Sequence, residues 1–195
     1  MKPLTEFQIT LPEWVREFAR DLPGRLESDS ERMAVAVELA RRNVRAGTGG
    51  PFGALVVASQ IGLPISLGVN RVEPAGCSIA HAEIVALSLA QRRVGHWNLD
   101  EADQAPLELV TGCEPCAMCL GAIPWSGVKR VVCGAARAQA EAAGFDEGER
   151  AEDWIEALGR REIEVVTGVL ATEAAEVLES YRKTGGVIYS PQAGL

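Results

Sequence analysis

His81-Ala82-Glu83, followed downstream by Pro115-Cys116-Ala117-Met118-Cys119, sets one imidazole, two thiols and one carboxylate in a pattern that suits a divalent metal. A structural zinc usually closes its tetrahedron with four Cys or His ligands, whereas His81, Cys116 and Cys119 supply three and leave the fourth position open for water. Residues at i and i+2 of a regular helix point roughly 200° apart, so His81 and Glu83 share one ion only where a helix begins. Cys116 and Cys119, three positions apart, converge on one ion at another helix start, whose dipole favours the thiolate form. The expectation is two helix N-termini facing one Zn2+. Water there becomes a hydroxide nucleophile near neutral pH, and Glu83 carries its proton.

Two other readings use the same cysteines. Cys116 and Cys119 have the spacing of a redox pair, but a redox pair has no use for His81 and Glu83, and Pro115 precedes the first cysteine instead of standing between the two. A structural zinc with Cys113 as fourth ligand accounts for three cysteines and leaves Glu83 without a role.

Around this site lie 195 residues, 47% hydrophobic and 24% charged, which is enough apolar material for one soluble domain with a real core. The formal net charge of −8 opposes gripping a phosphate backbone, which needs clustered Lys and Arg, and favours a small uncharged substrate. Arg41-Arg42-Asn43-Val44-Arg45 and Arg92-Arg93 are local exceptions read as helix C-termini. Five cysteines, an odd number, with no signal-peptide layout over Met1 to Thr10, point to the reducing cytoplasm. No apolar stretch reaches the ~20 residues of a membrane span.

Periodicity predicts helices over Glu13 to Arg20, Ser30 to Ala46 with Ser30 as cap, Ser78 to Arg93, Cys116 to Ile123, Trp154 to Leu158 and Ala171 to Lys183. Strands are expected over Phe52 to Ser59, Ile65 to Val69, Leu107 to Thr111, Lys129 to Gly134 and Ile163 to Thr167, the first two joined as a hairpin through Gln60 to Pro64. The order β-β-α-β-α-β, then further α and β, implies an α/β fold in three layers, α/β/α, with a central mixed β-sheet. Residues 1–25 read as an N-terminal extension packed on a domain spanning 26–195. Cys77, Cys113 and Cys133 read as small buried residues, and His96 as structural; Trp97 beside it is a candidate pocket edge.

His-x-Glu followed by Pro-Cys-x-x-Cys is a documented signature of zinc deaminases that act on nucleobases, and the chain resembles the cytidine deaminase-like zinc hydrolases. Within them it is most similar to bacterial guanine deaminases. The resemblance runs through Pro51-Phe52-Gly53-Ala54, Gly68-Val69-Asn70-Arg71-Val72, the two zinc motifs, Ala143-Gly144-Phe145-Asp146-Glu147-Gly148 and Gly186-Val187-Ile188-Tyr189, covering Arg32 to Tyr189. It implies the cytidine deaminase-like fold, hydrolysis of guanine to xanthine and ammonia, and a homodimer. It also implies that Asn70 hydrogen-bonds the purine edge, that Ala54 lines the pocket floor, and that Glu147 is a second proton carrier near the leaving amine. Phe52 is either a pocket wall or a core strand residue, Asn70 otherwise a turn residue, and Glu147 otherwise a solvated loop acid. Residues 185–195, hinged at Gly185-Gly186, read as an active-site lid or a segment swapped between subunits, with Tyr189 either closing over a flat purine or packing on the sheet.

Other functions remain open. Deamination of an amino-triazine, cytosine or tRNA adenosine uses the same metal chemistry, although the negative charge and the lack of a basic, aromatic-interleaved tail oppose a nucleic-acid substrate. A non-enzymatic zinc-stabilised module is opposed by the intact Glu83.

Overall fold

The computed structural model describes residues 3–101 and 105–189. Along them run α1 (Glu13–Asp21), α2 (Asp29–Arg45), β1 (Gly53–Ala58), β2 (Leu63–Val69), α3 (Val72–Ala75), α4 (Ala82–Val94), a 3-10 turn (Leu99–Glu101) and β3 (Leu107–Cys113). They are followed by α5 (Ala117–Ser126), β4 (Arg130–Ala135), α6 (Arg137–Ala143), α7 (Trp154–Gly159), β5 (Glu164–Val166) and α8 (Ala171–Lys183). The strands form one mixed sheet in the order β2-β1-β3-β4-β5. β1 runs antiparallel to both β2 and β3, whereas β3, β4 and β5 are parallel.

All of β1 is buried, and its side chains divide by the two-residue period of a strand. Leu55 and Val57 enter one core with Met33 and Leu39 of α2 and Val177 and Leu178 of α8. Ala54 and Val56 enter another with Ala86 and Leu87 of α4, Ile123 of α5 and Leu158 of α7. The expected α/β/α layering results, each fully buried Leu or Val contributing roughly 1.5–3 kcal/mol. Val15 of α1 joins the first core, with Trp14 and Phe18 packed at its edge, and Trp14 Nε1 donates to Thr48 Oγ1 at 3.0 Å. Ahead of α1, Leu4 and Phe7 stand exposed, so the packing of the N-terminal stretch begins near Leu11.

Four local expectations change. Ser28, not Ser30, caps α2: Ser28-Asp29-Ser30-Glu31 is a capping box in which Ser28 Oγ accepts from Glu31 N and Glu31 Oε2 from Ser28 N, both at 3.2 Å. β2 takes in Leu63 and Pro64, because it is an edge strand and the pairing slips between Val56 and Val57 where the proline lies. α4 starts at Ala82, not Ser78, since Ser78 and Ile79 lie in a turn closed by Ala80 N on Cys77 O at 3.1 Å, and Ala80 O is engaged by Arg71 N at 2.8 Å. α3 and α6 are additions to the expected helices, each too short to show a period in the sequence.

Below the sheet lies an ion cluster that periodicity alone does not disclose. Glu108 of β3 is fully buried and accepts from Arg32 Nη1 at 2.7 Å and from Arg130 Nη1 at 2.9 Å. Arg130 Nη2 also donates to Asp29 Oδ2 at 2.7 Å, joining α2, β3 and β4 through charge. Among the described residues no helix is long and apolar enough to cross a membrane.

Candidate active site

Two helix N-termini meet above the sheet, as the two motifs require. His81 is the N-cap of α4 with φ −69° and ψ 154°, and Cys116 is the N-cap of α5 with φ −64° and ψ 171°. Both caps are therefore extended, which frees their side chains from the helical stripe. Gly68 of β2 lets α4 press this close: a Cβ there would lie 2.1 Å from Ala82 O and 2.7 Å from Ala86 N.

His81 Nδ1 stands 3.5 Å from Cys116 Sγ and 3.6 Å from Cys119 Sγ. Zinc bonds of ~2.0 Å to nitrogen and ~2.3 Å to sulfur at tetrahedral angles require N···S separations of about 3.5 Å, so the donor set fits Zn2+. The three ligand atoms all lie within 4.8 Å of one another. Cys113 is not in this group and points its sulfur at Ala136 O, 3.9 Å away, so the fourth-ligand reading finds no geometry in its favour.

Glu83 is buried in the first turn of α4, and Thr111 of β3 donates from Oγ1 to its Oε1 at 3.2 Å. Glu147 is buried on the segment between α6 and α7, where its backbone carbonyl accepts from Ala117 N at 2.9 Å. The two carboxyls line one cavity with His81, Cys116, Phe52, Phe145 and Tyr189. Burial pushes Glu147 up to about 8, with the charges of Cys116 and Glu83 adding to it. Glu83 is raised for the same reasons, burial first and then the Cys116 charge. The hydrogen bond from Cys119, helped by one from His81, lowers the Cys116 thiol to about 4 against the effect of burial. Cys119 moves up in return, through that shared hydrogen bond and burial.

Asn70 is buried at the end of β2. Its Oδ1 accepts from Val72 N at 3.3 Å and Gly50 N at 3.4 Å, which turns Nδ2 to Tyr189 Oη, 2.6 Å away. Tyr189 also lies with its ring centroid 6.0 Å from that of His81 and 5.7 Å from that of Phe145. With Tyr189 in place the enclosed space is only about 20 Å³, room for one water and not for a heterocycle. Phe52 meets Phe145 edge-on at 4.8 Å and forms a wall. Ala54 is buried within the sheet and does not line the cavity. Trp97 is exposed and lies outside it, and His96 takes part in a local turn with Asn98.

Residues 26–135 match the family model described as the cytidine and deoxycytidylate deaminase zinc-binding region. The chain belongs to this deaminase family. It is thus a hydrolytic deaminase with a zinc cofactor, for which His81, Cys116 and Cys119 form a fitting donor set. The guanine deaminase of Bacillus subtilis is 44% identical over 112 residues, 57% of this deaminase and 67% of that protein. A solved guanine deaminase from Nitrosomonas europaea superimposes with a TM-score of 0.87 at 44% identity, covering 91% of this chain and 97% of that one. The tRNA-specific adenosine deaminase of Haemophilus influenzae is 32% identical over 160 residues, 80% of this chain and 84% of that one.

Sequence reasoning missed three side chains that this deaminase places around the site. Thr111 sits in an apolar strand and reads as an ordinary β former. Asn43, buried inside α2, donates from Nδ2 to both Gly50 O and Asn70 O at 2.9 Å; a polar residue on an apolar helix face was the available signal. Arg150, at the end of the run Asp146-Glu147-Gly148-Glu149, carries no signal of its own in the sequence.

Proposed function

We propose that this chain is a zinc-dependent guanine deaminase, converting guanine and water to xanthine and ammonia. The observation that carries the reading is the pair of buried carboxyls, Glu83 and Glu147, lining the same cavity as a three-ligand metal group. Guanine deaminases among the relatives support the substrate.

Zinc in the His81, Cys116, Cys119 group supplies a hydrolytic nucleophile from water near neutral pH. Glu83, held by Thr111, takes the proton from the attacking water and delivers it to the purine ring. Glu147, with a pKa of about 8, is protonated at neutral pH and gives its proton to the departing amine, so the two acids divide the work that one would do less readily. Asn70 offers Nδ2 to a purine acceptor, the position that Tyr189 Oη holds. Phe52 and Phe145 flank the flat ring. Tyr189 leaves to admit the base and returns to exclude bulk water, which makes the segment from Gly185 onward a lid; its residues 190–195 lie outside the described part of the chain.

The protein is proposed to work as a cytoplasmic homodimer, its five cysteines free as a reducing compartment allows. Light scattering at micromolar concentration checks the dimer; a monomer refutes it. Ammonia release from guanine, adenosine, cytosine, cytidine and a tRNA substrate tests the activity. Guanine is expected to be turned over fastest. Faster turnover of cytidine or tRNA overturns the substrate and leaves the family intact.

A further inference from the structure

Glu147 sits on a stretch, 145–150, with no regular secondary structure. Among the described residues no side-chain hydrogen bond reaches its carboxyl, so where that carboxyl stands within its cavity follows from where the backbone is held. Beyond Phe145 N, which donates to Ala140 O at 3.1 Å at the end of α6, three fastenings hold this backbone. Ala117 N donates to Glu147 O at 2.9 Å, and Arg137 Nη2 donates to Gly148 O at 2.8 Å. The third is Arg150, whose guanidinium bridges to the turn that carries the metal-ligating cysteines: Nη2 donates to Glu114 Oε2 at 2.7 Å and Nη1 to Pro115 O at 3.1 Å. Trp154 of α7 covers the outer face of that guanidinium, with Arg150 Cζ 4.6 Å from the ring centroid.

The ion pair is well shielded, its side chains 8% and 16% exposed. A planar fork that engages a carboxylate and a carbonyl together fixes direction as well as distance, which an ammonium on a flexible stem does not. The stakes are geometric: a misplacement of ~1 Å in a proton-transferring group costs on the order of 100-fold.

We infer that Arg150 is a positioning residue, which latches the 145–150 stretch to Glu114 and Pro115 and thereby registers the Glu147 carboxyl against the metal ligands. It touches no substrate and acts through Glu147. The kinetic part of this inference rests on the proposed guanine deaminase activity; the structural part does not.

The test uses full-length zinc-loaded protein with Arg150→Met and Arg150→Lys, read by hydrogen exchange and kinetics. In Arg150→Met the Ala117 amide, whose partner is Glu147 O, exchanges at least ~tenfold faster, while amides of β1 and β3 keep their protection. Unchanged exchange at Ala117 overturns the latch whether or not guanine is a substrate. With guanine, Arg150→Met lowers kcat at least ~tenfold and shifts KM less than ~threefold, and Arg150→Lys recovers only part of the loss. In a Glu147→Gln background the same Arg150 substitution lowers kcat by less than ~twofold, because the residue through which it acts is already disabled. An equal loss in both backgrounds overturns the inference. Should Arg150→Met fail to fold, Glu114→Gln, which keeps the arginine and weakens its acceptor, carries the same two readouts. A parent enzyme inactive on guanine refutes the substrate alone, and the exchange result then decides the latch.

Discussion

Asn70 and Tyr189, 119 positions apart in sequence, share a 2.6 Å hydrogen bond directly over the metal group. The amide is thereby satisfied by the same kind of contact that a purine acceptor would make. Tyr189→Phe removes that competitor at a cost of about 1 kcal/mol to the closed form. The expected result is a guanine KM lower by a factor of about 2–10 with zinc content unchanged, measured by steady-state kinetics and metal analysis. A raised KM would mean that the hydroxyl binds substrate. Removing 186–195 altogether is expected to lower guanine turnover at least ~tenfold, roughly 1.4 kcal/mol of transition-state stabilisation, with zinc retained.

The parent is expected to hold about one zinc ion per chain, and His81→Ala and Cys116→Ala each to abolish tight binding, because a three-ligand site cannot spare one. Glu83→Gln keeps the zinc and loses activity by ~10²–10⁴-fold, since an amide has the shape of the carboxyl and cannot carry its proton. Metal analysis beside ammonia release separates the two classes. Full zinc in both ligand variants would remove the site.

Thr111→Val preserves the shape of a buried β3 residue and deletes the donor to Glu83 Oε1. Turnover is expected to fall about tenfold with KM nearly constant, and Thr111→Ser to restore most of it. A pure KM effect would place Thr111 in substrate binding instead.

Glu147 also makes stability depend on pH. Its folded pKa, about 8, lies above the ordinary value of 4.5, so between these pH values the folded state binds more protons than the unfolded one. Stability from this group is therefore lost as pH rises from about 4.5 to 8. Cys116, lowered from 9.0 to about 4, acts in the opposite sense over an overlapping range, so the two are separated only by difference. In metal-free protein, denaturant unfolding at pH 5 and pH 8 is expected to show Glu147→Gln gaining on the parent by on the order of a few kcal/mol as pH rises. A constant difference would refute the burial of a titrating carboxyl.

Glu108→Gln leaves Arg32 and Arg130 facing an uncharged amide inside the protein. Losing one partner of such a buried cluster costs ~3–5 kcal/mol, and the unfolding midpoint should drop accordingly while zinc content stays at the parent value. Guanidinium titration reports it. An unchanged midpoint would show that the arginines are solvated in the folded state.

The metal group and its neighbouring acid were legible in the chain because coordination chemistry demands particular atoms, and His81, Glu83, Cys116 and Cys119 announce them by identity and spacing. The five strands and the α/β/α order were legible for a related reason: the burial period of each element is local. Even α8 has the range its periodicity implies, Ala171–Lys183. What lay beyond the sequence was every arrangement fixed by contacts between distant segments. Ala54 looked like pocket floor, yet its side chain packs with Val56 and Ala86 in the core on the α4 face and does not line the cavity that Tyr189 closes. Glu147, among Asp146, Glu149 and Arg150, read either as a proton carrier or as a solvated acid, and it is buried where Ala117, Arg137 and Arg150 hold its backbone. Thr111 and the Glu108 cluster carry no local pattern, and Asn43 only that of a polar residue on an apolar helix face, since a hydrogen bond between residues on separate elements leaves no period behind. Tertiary packing chose those partners, and with them the protonation states on which the chemistry depends.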